Sequence, residues 1–416
     1  MAREMKDSGI EWIGEIPANW NAVALKRLCS MQAGKNLVAE QILDEGIYPV
    51  YGGNGLRGFF SDYNADGEYL LIGRQGSLCG NVHYINGQFW ATEHAVITKS
   101  TLMADTEFLY FLLIGMNLSQ YASNTAAQPG LSVSEIQNVQ TCVPPVPTQH
   151  RIAAFLDRKC AEIDSVIADT QKTIDEYKAL KQSIITEAVT KGVRGERKMK
   201  DSGVEWIGDV PEEWKVIKCS RIISGTQNGL TRRDTEKSEG DIVLKLKNID
   251  SNGYIDYSEV NRISLTAKEI ETYELQEGDF LFVRVNGSKS LVGKCAIYHD
   301  IGSIVAYNDH IIRVQLNESC NHEYFKLYLQ SNLGKCEIDL HTSTSAGQFT
   351  ISGEGLRDMV FVLPPMKEQV EIVTHVSYSL SQTDAIIAAK QQLLAELDAY
   401  KKSVIYEYVT GKKEVQ

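Results

Sequence analysis

The chain has 416 residues, 43% of them hydrophobic, with 42 Lys and Arg against 54 Asp and Glu, a net charge of −12. That length suffices for two domains, each with its own core, while the acidity excludes a protein that grips nucleic acid alone through a broad basic face. With no window of 18 uncharged apolar residues, no apolar run in Met1-Ala2-Arg3-Glu4-Met5-Lys6-Asp7, and eight scattered cysteines lacking any Cys-x-x-Cys or zinc-ligand spacing, the chain reads as a reduced, cytoplasmic protein without a membrane span or signal peptide.

In chain order, residues 1–147 read as a first globular segment, opened by Trp12, Pro17 and Trp20 and closed by Pro144, Pro145 and Pro147. Gly46-Ile47-Tyr48-Pro49-Val50-Tyr51 and Tyr69-Leu70-Leu71-Ile72 have the β-branched and aromatic content of strands and are separated by Gly/Asn turns. Residues 148–197 read as one long helix, because no Pro or Gly interrupts Gln149 to Lys191 and Gly192 and Gly195 end the run. Residues 198–365 form a second strand-rich segment with strands at Asp241-Ile242-Val243-Leu244-Lys245-Leu246 and Asp279-Phe280-Leu281-Phe282-Val283-Arg284-Val285, closed by Pro364 and Pro365. Residues 366–416 form a second long helix. The four pieces carry −6, +1, −6 and −1.

The same unit is written twice. Met5-Lys6-Asp7-Ser8-Gly9-Ile10-Glu11-Trp12-Ile13-Gly14-Glu15-Ile16-Pro17-Ala18-Asn19-Trp20 returns 194 positions later as Met199 to Trp214, with 11 of 16 positions identical. Val143-Pro144-Pro145, Gln149 and Ile152 return 220 positions later as Leu363-Pro364-Pro365, Gln369 and Ile372, and the match runs on through Asp164/Asp384, Lys181/Lys401, Glu187/Glu407 and Thr190/Thr410. The second globular segment is therefore 26 residues longer, and constant ends with a changed middle imply one scaffold carrying two different readers. Heptad ladders Leu156, Ile163, Thr170, Tyr177, Ile184 and Cys160, Ile167, Ile174, Lys181, Ala188, with equivalents Val376, Thr383, Lys390, Leu397, Val404 and Leu380, Ile387, Leu394, Lys401, Tyr408, predict a coiled-coil-like seam. The expected fold is α+β, a tandem duplication of a globular domain and a long helix, the two helices pairing antiparallel with pseudo-two-fold symmetry; the alternative is that each helix packs on its own domain. A fainter echo links the interiors: Arg74-Gln75-Gly76-Ser77 with Arg284-Val285-Asn286-Gly287-Ser288, and Ala91-Thr92-Glu93-His94-Ala95-Val96 with Ala306-Tyr307-Asn308-Asp309-His310-Ile311.

Catalytic signatures are weak. Gly53-Asn54-Gly55-Leu56-Arg57-Gly58 has dinucleotide-site spacing, but the turn-like Phe59-Phe60-Ser61-Asp62-Tyr63-Asn64 stands where a helix must open. A glycine-rich hairpin facing DNA or solvent fits better. Asp209 with Glu213-Trp214-Lys215 faintly matches a metal-dependent nuclease triplet that Asn19-Trp20-Asn21 does not repeat, and there is no Asn-Pro-Pro-aromatic, phosphate-binding Gly-Lys-Ser/Thr loop or Gly-x-Ser-x-Gly elbow. His94 and His310 sit beside acids without a repeated nucleophile. The remaining polar positions suit base and phosphate contact: Lys35, Arg57, Arg74, Gln75 and Gln128 in the first segment, and Arg232, Arg233, Lys245, Lys247, Arg284, Asn286, Lys289, Lys294 and Gln348 in the second, all in or beside Gly/Ser/Asn-rich loops.

Leu131-Ser132 through Pro144-Pro145, Gln149, Ile152 and Phe155-Leu156-Asp157, with a helix ending Ser183-Ile184-Ile185-Thr186-Glu187-Ala188-Val189-Thr190-Lys191-Gly192, resemble the conserved regions of type I restriction-modification specificity subunits. The Asp7-to-Gly14 and Asp201-to-Gly208 openings resemble the starts of that family's two target recognition domains. Thr148 departs from the family's usual Glu, present at Glu368, with little consequence expected at a helix start. The resemblance implies a non-catalytic DNA-recognition subunit whose domains each read half of a bipartite asymmetric target while the helices set the spacer. It implies as partners double-stranded DNA, two modification subunits that bind S-adenosylmethionine, and restriction subunits using ATP and Mg²⁺, with no cofactor on this chain. An adaptor joining two protein-binding domains without DNA readout is the alternative.

Overall fold

The structure, a computed structural model, describes residues 3–76, 78–123, 130–232, 239–250, 253–345 and 347–415. It divides into two units, Met1–Lys172 with Lys390–Gln416, and Thr173–Ala389.

In the first unit, strands Met5–Asp7 and Glu15–Pro17 form a hairpin, turned by Gly9 and Gly14 at φ near +70°, where a side chain would be strained. Asn21–Ala24 pairs antiparallel with Gln140–Val143 and closes the globular segment on itself. A six-stranded sheet comes next, in spatial order Cys29–Ala33, Ala95–Ser100, Ala65–Gly73, Val82–Ala91, Tyr48–Gly52 and Gly55–Phe60. Only the Tyr48–Gly52/Val82–Ala91 pair is parallel. Helix α1 (Thr106–Gly115) opens on Asp105, whose side chain accepts from Phe108 N, and buries Phe108, Leu109 and Leu112 in one core with Leu70, Ile72 and Val96. The short α2 (Val133–Ile136) precedes α3 (Val146–Lys191), an uninterrupted 46 residues.

The second unit repeats the hairpin as Met199–Asp201 with Asp209–Pro211 and the closing pair as Lys215–Lys218 with Val360–Leu363. Its interior is a four-stranded sheet (Ile223–Asn228, Ile311–Leu316, Phe280–Val283, Cys295–Ile297), a three-stranded sheet (Asn261–Ile263, Asp241–Leu244, Val305–Tyr307) and a ribbon (Val285–Asn286, Gln348–Thr350, Ser343–Ser345). Most of the extra length lies between Leu244 and Phe280; strand Asn261–Ile263 there takes the place of Gly55–Phe60, and α4 (Ala267–Tyr273), capped by the reciprocal Thr266/Glu269 box, follows it. Helices α5 (His322–Gln330), α6 (Asn332–Leu340) and α7 (Gly353–Asp358) lead to α8 (Met366–Val409), 44 residues long.

Each unit contains an antiparallel pair of α3 and α8 segments. In the first, Phe155 meets Tyr408 with ring centroids 4.4 Å apart and Lys401 Nζ lies 2.6 and 2.7 Å from the two Asp164 oxygens. The second has the repeat-related pair Lys181–Asp384, and Arg194 Nε donates to Glu371 at 2.8 Å. Exposed ion pairs add little stability; their value is to mark register. All twenty ladder positions are buried or half-buried, so the seam read from spacing is the seam that forms. The helices also pack on the globular parts: Ile152, Leu156, Val404, Ile405 and Val409 join the core of the first domain, and Ile185, Ala188, Val189, Ile372 and Val376 that of the second.

Two buried amides weld helix to domain. Gln149 Oε1 accepts from Asp105 N (2.7 Å), and its Nε2 donates to Met103 O and Pro144 O; Gln369 Oε1 accepts from Asn321 N (2.7 Å), and its Nε2 donates to Ser319 O and Pro364 O. Replacing either by Leu leaves three backbone groups without that partner, one buried and two half-buried. At about 1–3 kcal/mol for a group left unpaired, Gln149→Leu should destabilise the first domain by about 2–4 kcal/mol, read as lost hydrogen-exchange protection over α1 with the second domain unchanged.

The repeat breaks at one place with a structural consequence. Glu368 is 1% exposed; it accepts from Trp214 Nε1 at 2.9 Å and ion-pairs with Arg197 at 2.5 Å, while the Arg197 guanidinium lies 5.1 Å above the Trp214 ring. Its counterpart Thr148 is half-buried, and the Arg197 counterpart, Arg3, donates to Gly411 O. The position is thus a buried charge in one unit and a neutral hydroxyl in the other, more than the small helix-start difference expected from sequence.

Candidate nucleic-acid interface

The faint interior echo is a shared backbone frame. Arg74 N donates to His94 O (2.9 Å) as Arg284 N donates to His310 O (2.8 Å); Leu131 N donates to Arg74 O as Ile351 N does to Arg284 O. Lys35 N donates to Ala91 O as Leu230 N does to Tyr307 O, and Thr92 N to Tyr51 O as Asn308 N does to Leu244 O. In both domains a glycine makes the crossing possible. A Cβ on Gly34 would lie 2.2 Å from Thr92 O, and one on Gly229 would lie 2.3 Å from Asn308 O. Backbone cannot yield to that, so Gly34→Val or Gly229→Val should abolish reading by the altered domain alone, measured as degenerate bases in one half of the methylated motif.

On this frame the side chains differ. In the first domain Gln75 Oε1 lies 2.9 Å from His94 Nδ1, and Glu93 lies 3.1 Å from His94 Nε2. Arg74 is half-buried and lines a groove with Met31, Gln75, Leu131 and Gln137. Exposed Arg57 folds over Gly52, within 2.6 Å of where a Cβ would stand. Lys35 is exposed and its carbonyl accepts from Trp90 Nε1. The hairpin reading of the glycine cluster holds: Tyr48–Gly52 and Gly55–Phe60 pair antiparallel where a dinucleotide site needs a helix.

In the second domain Lys245 directly succeeds the strand that occupies the place of Tyr48–Gly52, so Lys245 stands where Gly52 and the overlying Arg57 stand in the first. Arg232 forks onto Glu269 at 2.9 and 3.0 Å, and Arg284 NH1 donates to Asp309 O at 3.0 Å. Asn286 and Gln348 lie on the same ribbon, Asn286 opposite Phe349. Lys247 pairs with Glu259. Lys289 and Lys294 sit apart, lining a groove with Lys335, whose pKa burial lowers; Lys289 is 3.5 Å from Asp339. Gln128 and Arg233 lie outside the described residues. Sequence reasoning missed buried Asn261 and Thr92 and half-buried Asn308; the echo around His94 and His310 was a signal for Thr92 and Asn308, and nothing marked Asn261.

Among the described residues His94 meets Gln75 and Glu93, and His310 meets Asp309 at 3.7 Å. Burial pushes the Cys29, Cys142 and Cys320 thiols up to about 12, far from a nucleophilic thiolate at neutral pH. Among the described residues no three His, Cys, Asp or Glu side chains are grouped to hold a metal, and no helix is long and apolar enough to cross a membrane.

Each unit thus carries a globular domain with repeat-related ends, a polar face on a common backbone frame, and a buried amide that joins it to its own helical segments. The family model for the type I restriction modification DNA specificity domain matches residues 17–176 and 211–399, and the chain belongs to that family. It is 45% identical over 138 residues to the Type I restriction enzyme EcoprrI specificity subunit of Escherichia coli, covering 32% of this chain and 34% of that protein. It is 27% identical over 277 residues to the EcoKI specificity subunit of Escherichia coli strain K12, covering 66% and 58%. The aligned stretches thus span about a third to three-fifths of these relatives' length. A chain from a solved structure concerned with assembly and conformational transition of the type I R-M system superimposes with TM-score 0.70 at 15% identity, over 96% of this chain and 99% of that one, and shares the fold.

Proposed function

We propose that this chain is the sequence-reading subunit of a type I restriction-modification complex. Each globular domain reads one half of a bipartite, asymmetric DNA target, and the helices set the length of the unread spacer. The observation that carries this reading is the pair of backbone frames held by matching hydrogen bonds yet bearing different side chains, Gln75, Arg57 and Thr92 on one and Asn286, Lys245 and Asn308 on the other. A single enzyme site would be present once or repeated unchanged; two unlike faces on like frames suit two unlike half-sites. Arg, Lys, Asn and Gln are the side chains that pair with base edges and phosphates.

The chain itself is non-catalytic and cytoplasmic in this reading, and two modification subunits binding S-adenosylmethionine dock on the helices, joined for cleavage by restriction subunits that use ATP and Mg²⁺. The net charge of −12 fits partners that supply much of the phosphate-neutralising charge. The duplication supports two copies of one partner. Val166 and Leu180 of α3 and their repeat equivalents Ile386 and Tyr400 of α8 are all exposed apolar side chains on otherwise polar helix faces. Val166→Glu with Ile386→Glu should abolish co-purification with the modification subunit while the chain stays folded. The reading as a whole is tested by reconstitution: target-specific DNA binding should arise only when chain and modification subunit are combined. Adenine methylation by the chain alone with S-adenosylmethionine, or no sequence preference in the assembled complex, would contradict it.

A further inference from the structure

The second domain has a polar recess of about 280 Å³, lined by Leu230, Arg232, Val243, Lys245, Asn261, Ile263, and the Asn308-Asp309-His310 turn. Asn261 is only 8% exposed, yet its Oδ1 has no hydrogen-bond donor, and the Oδ1 of Asn308 is likewise buried and unpartnered. Buried side-chain oxygens are nearly always satisfied, so two orphaned acceptors lining one recess call for a donor from outside the chain. Lys245 and Arg232, the latter already paired with Glu269, share the walls with the single acid Asp309, so the recess lacks the excess of acidic groups that would draw a cation. A neutral N–H donor fits both orphaned oxygens, and an exocyclic amino group on a DNA base is such a donor.

Resting on the reading of this chain as a DNA-recognition subunit, we propose that the Asn261/Asn308 recess is a base-reading subsite of the second domain that takes the exocyclic amino group of an adenine or cytosine in the major groove. Asn261 lies on the strand that takes the place of Gly55–Phe60, facing Val243 as Gly58 faces Val50 in the first domain, so a side chain stands here where the first domain has a glycine. Asn308 corresponds to Thr92, which is fully buried with an unpartnered Oγ1. The same backbone position therefore carries a carboxamide in one reader and a hydroxyl in the other, and the two domains differ there in what they accept. The frame holds the Asn308 backbone firmly, through Asn308 N to Leu244 O at 3.0 Å and Ile311 N to Asn308 O at 3.0 Å.

The test uses the assembled methyltransferase complex and duplexes in which each adenine of the target is replaced in turn by purine and each cytosine by 2-pyrimidinone, so that one amino group is deleted at a time. Wild-type complex is compared with complexes carrying Asn308→Thr, the residue the first domain tolerates on the same backbone, and Asn261→Ala. At one position of the half-site read by the second domain, amino deletion should weaken wild-type binding about tenfold and leave both variants unaffected; at positions read by the first domain, all three complexes should lose affinity equally. Variants that lose the same factor as wild type at every position would overturn the subsite while leaving the recognition role intact. Variants whose penalties also vanish at first-domain positions would overturn it too, as a global defect. A wild-type complex indifferent to every deletion and to target sequence would instead refute the recognition role.

Discussion

Lengthening α3 and α8 together by four residues each, between Lys172 and Thr173 and between Ala389 and Lys390, should change the spacer of the recognised sequence and leave the bases read in each half unchanged. These are the points where both helices pass from one unit to the other, away from the buried Ala188, Val189, Ile372 and Val376 that hold the second core. Four residues add about 6 Å and turn the helix by about 400°, within 40° of a full turn. That distance is close to two base pairs at roughly 3.4 Å each. The heptad seam is disturbed least by such a near-integral turn. Two residues in each helix add about 3 Å and about 200°, which places seam positions such as Ile174 and Ile387 toward solvent and should abolish methylation altogether. Methylome sequencing of cells carrying each variant decides it; full activity with the two-residue insertion, or an unchanged spacer with four, would show that the helices do not set the distance.

The second large effect is thermodynamic. Glu368→Leu should destabilise the second unit by about 3–5 kcal/mol, the cost of removing one partner from a buried ion pair, because Arg197 keeps its charge and the Trp214 indole loses its acceptor. Glu368→Gln retains an oxygen for Trp214 Nε1 and should lose less. Thr148→Val, at the matching position of the first unit, should cost under about 1 kcal/mol, since its hydroxyl accepts a long, exposed hydrogen bond of 3.5 Å from Arg151. Denaturant unfolding of the full chain, with hydrogen exchange over residues 192–214 locating the loss, measures all three. Equal effects from Glu368→Leu and Thr148→Val would contradict the asymmetry.

The long helices and their seam were legible because a heptad is a local rule: each ladder residue needs only its own helix to present it, and duplication supplied the partner. The antiparallel direction was expected because each repeat runs from globular part to helix; that the repeated Asp164/Asp384 and Lys181/Lys401 would pair acid to lysine in both units became visible only in the structure. The sheet orders were not legible. The parallel pairing of Tyr48–Gly52 with Val82–Ala91 joins segments some 40 residues apart, and no spacing in the sequence encodes it. The glycine-rich hairpin was readable from the residues on its C-terminal side, because Phe59-Phe60-Ser61-Asp62 cannot open a helix. Candidate cations were found by type, yet Arg57 and Lys245 occupy corresponding places only in three dimensions: one reaches there from a neighbouring strand and the other from the strand end itself. Thr148 was misjudged because burial decides the worth of a carboxylate, and burial at Glu368 depends on Arg197 and Trp214, which are more than 150 residues away in the chain.

The central claim, that each domain reads one half-site independently, is tested most directly by exchange. Residues from Trp20 to Val143 are bounded by the constant hairpin on one side and the Pro144-Pro145 helix entry on the other, and the strand pair Asn21–Ala24 with Gln140–Val143 closes them as a unit. Replacing them with the equivalent domain of a relative and sequencing the methylome of cells that express the complex should change the bases of one half-site and leave the other half-site intact. A change in both half-sites, or in neither while methylation persists, would contradict it.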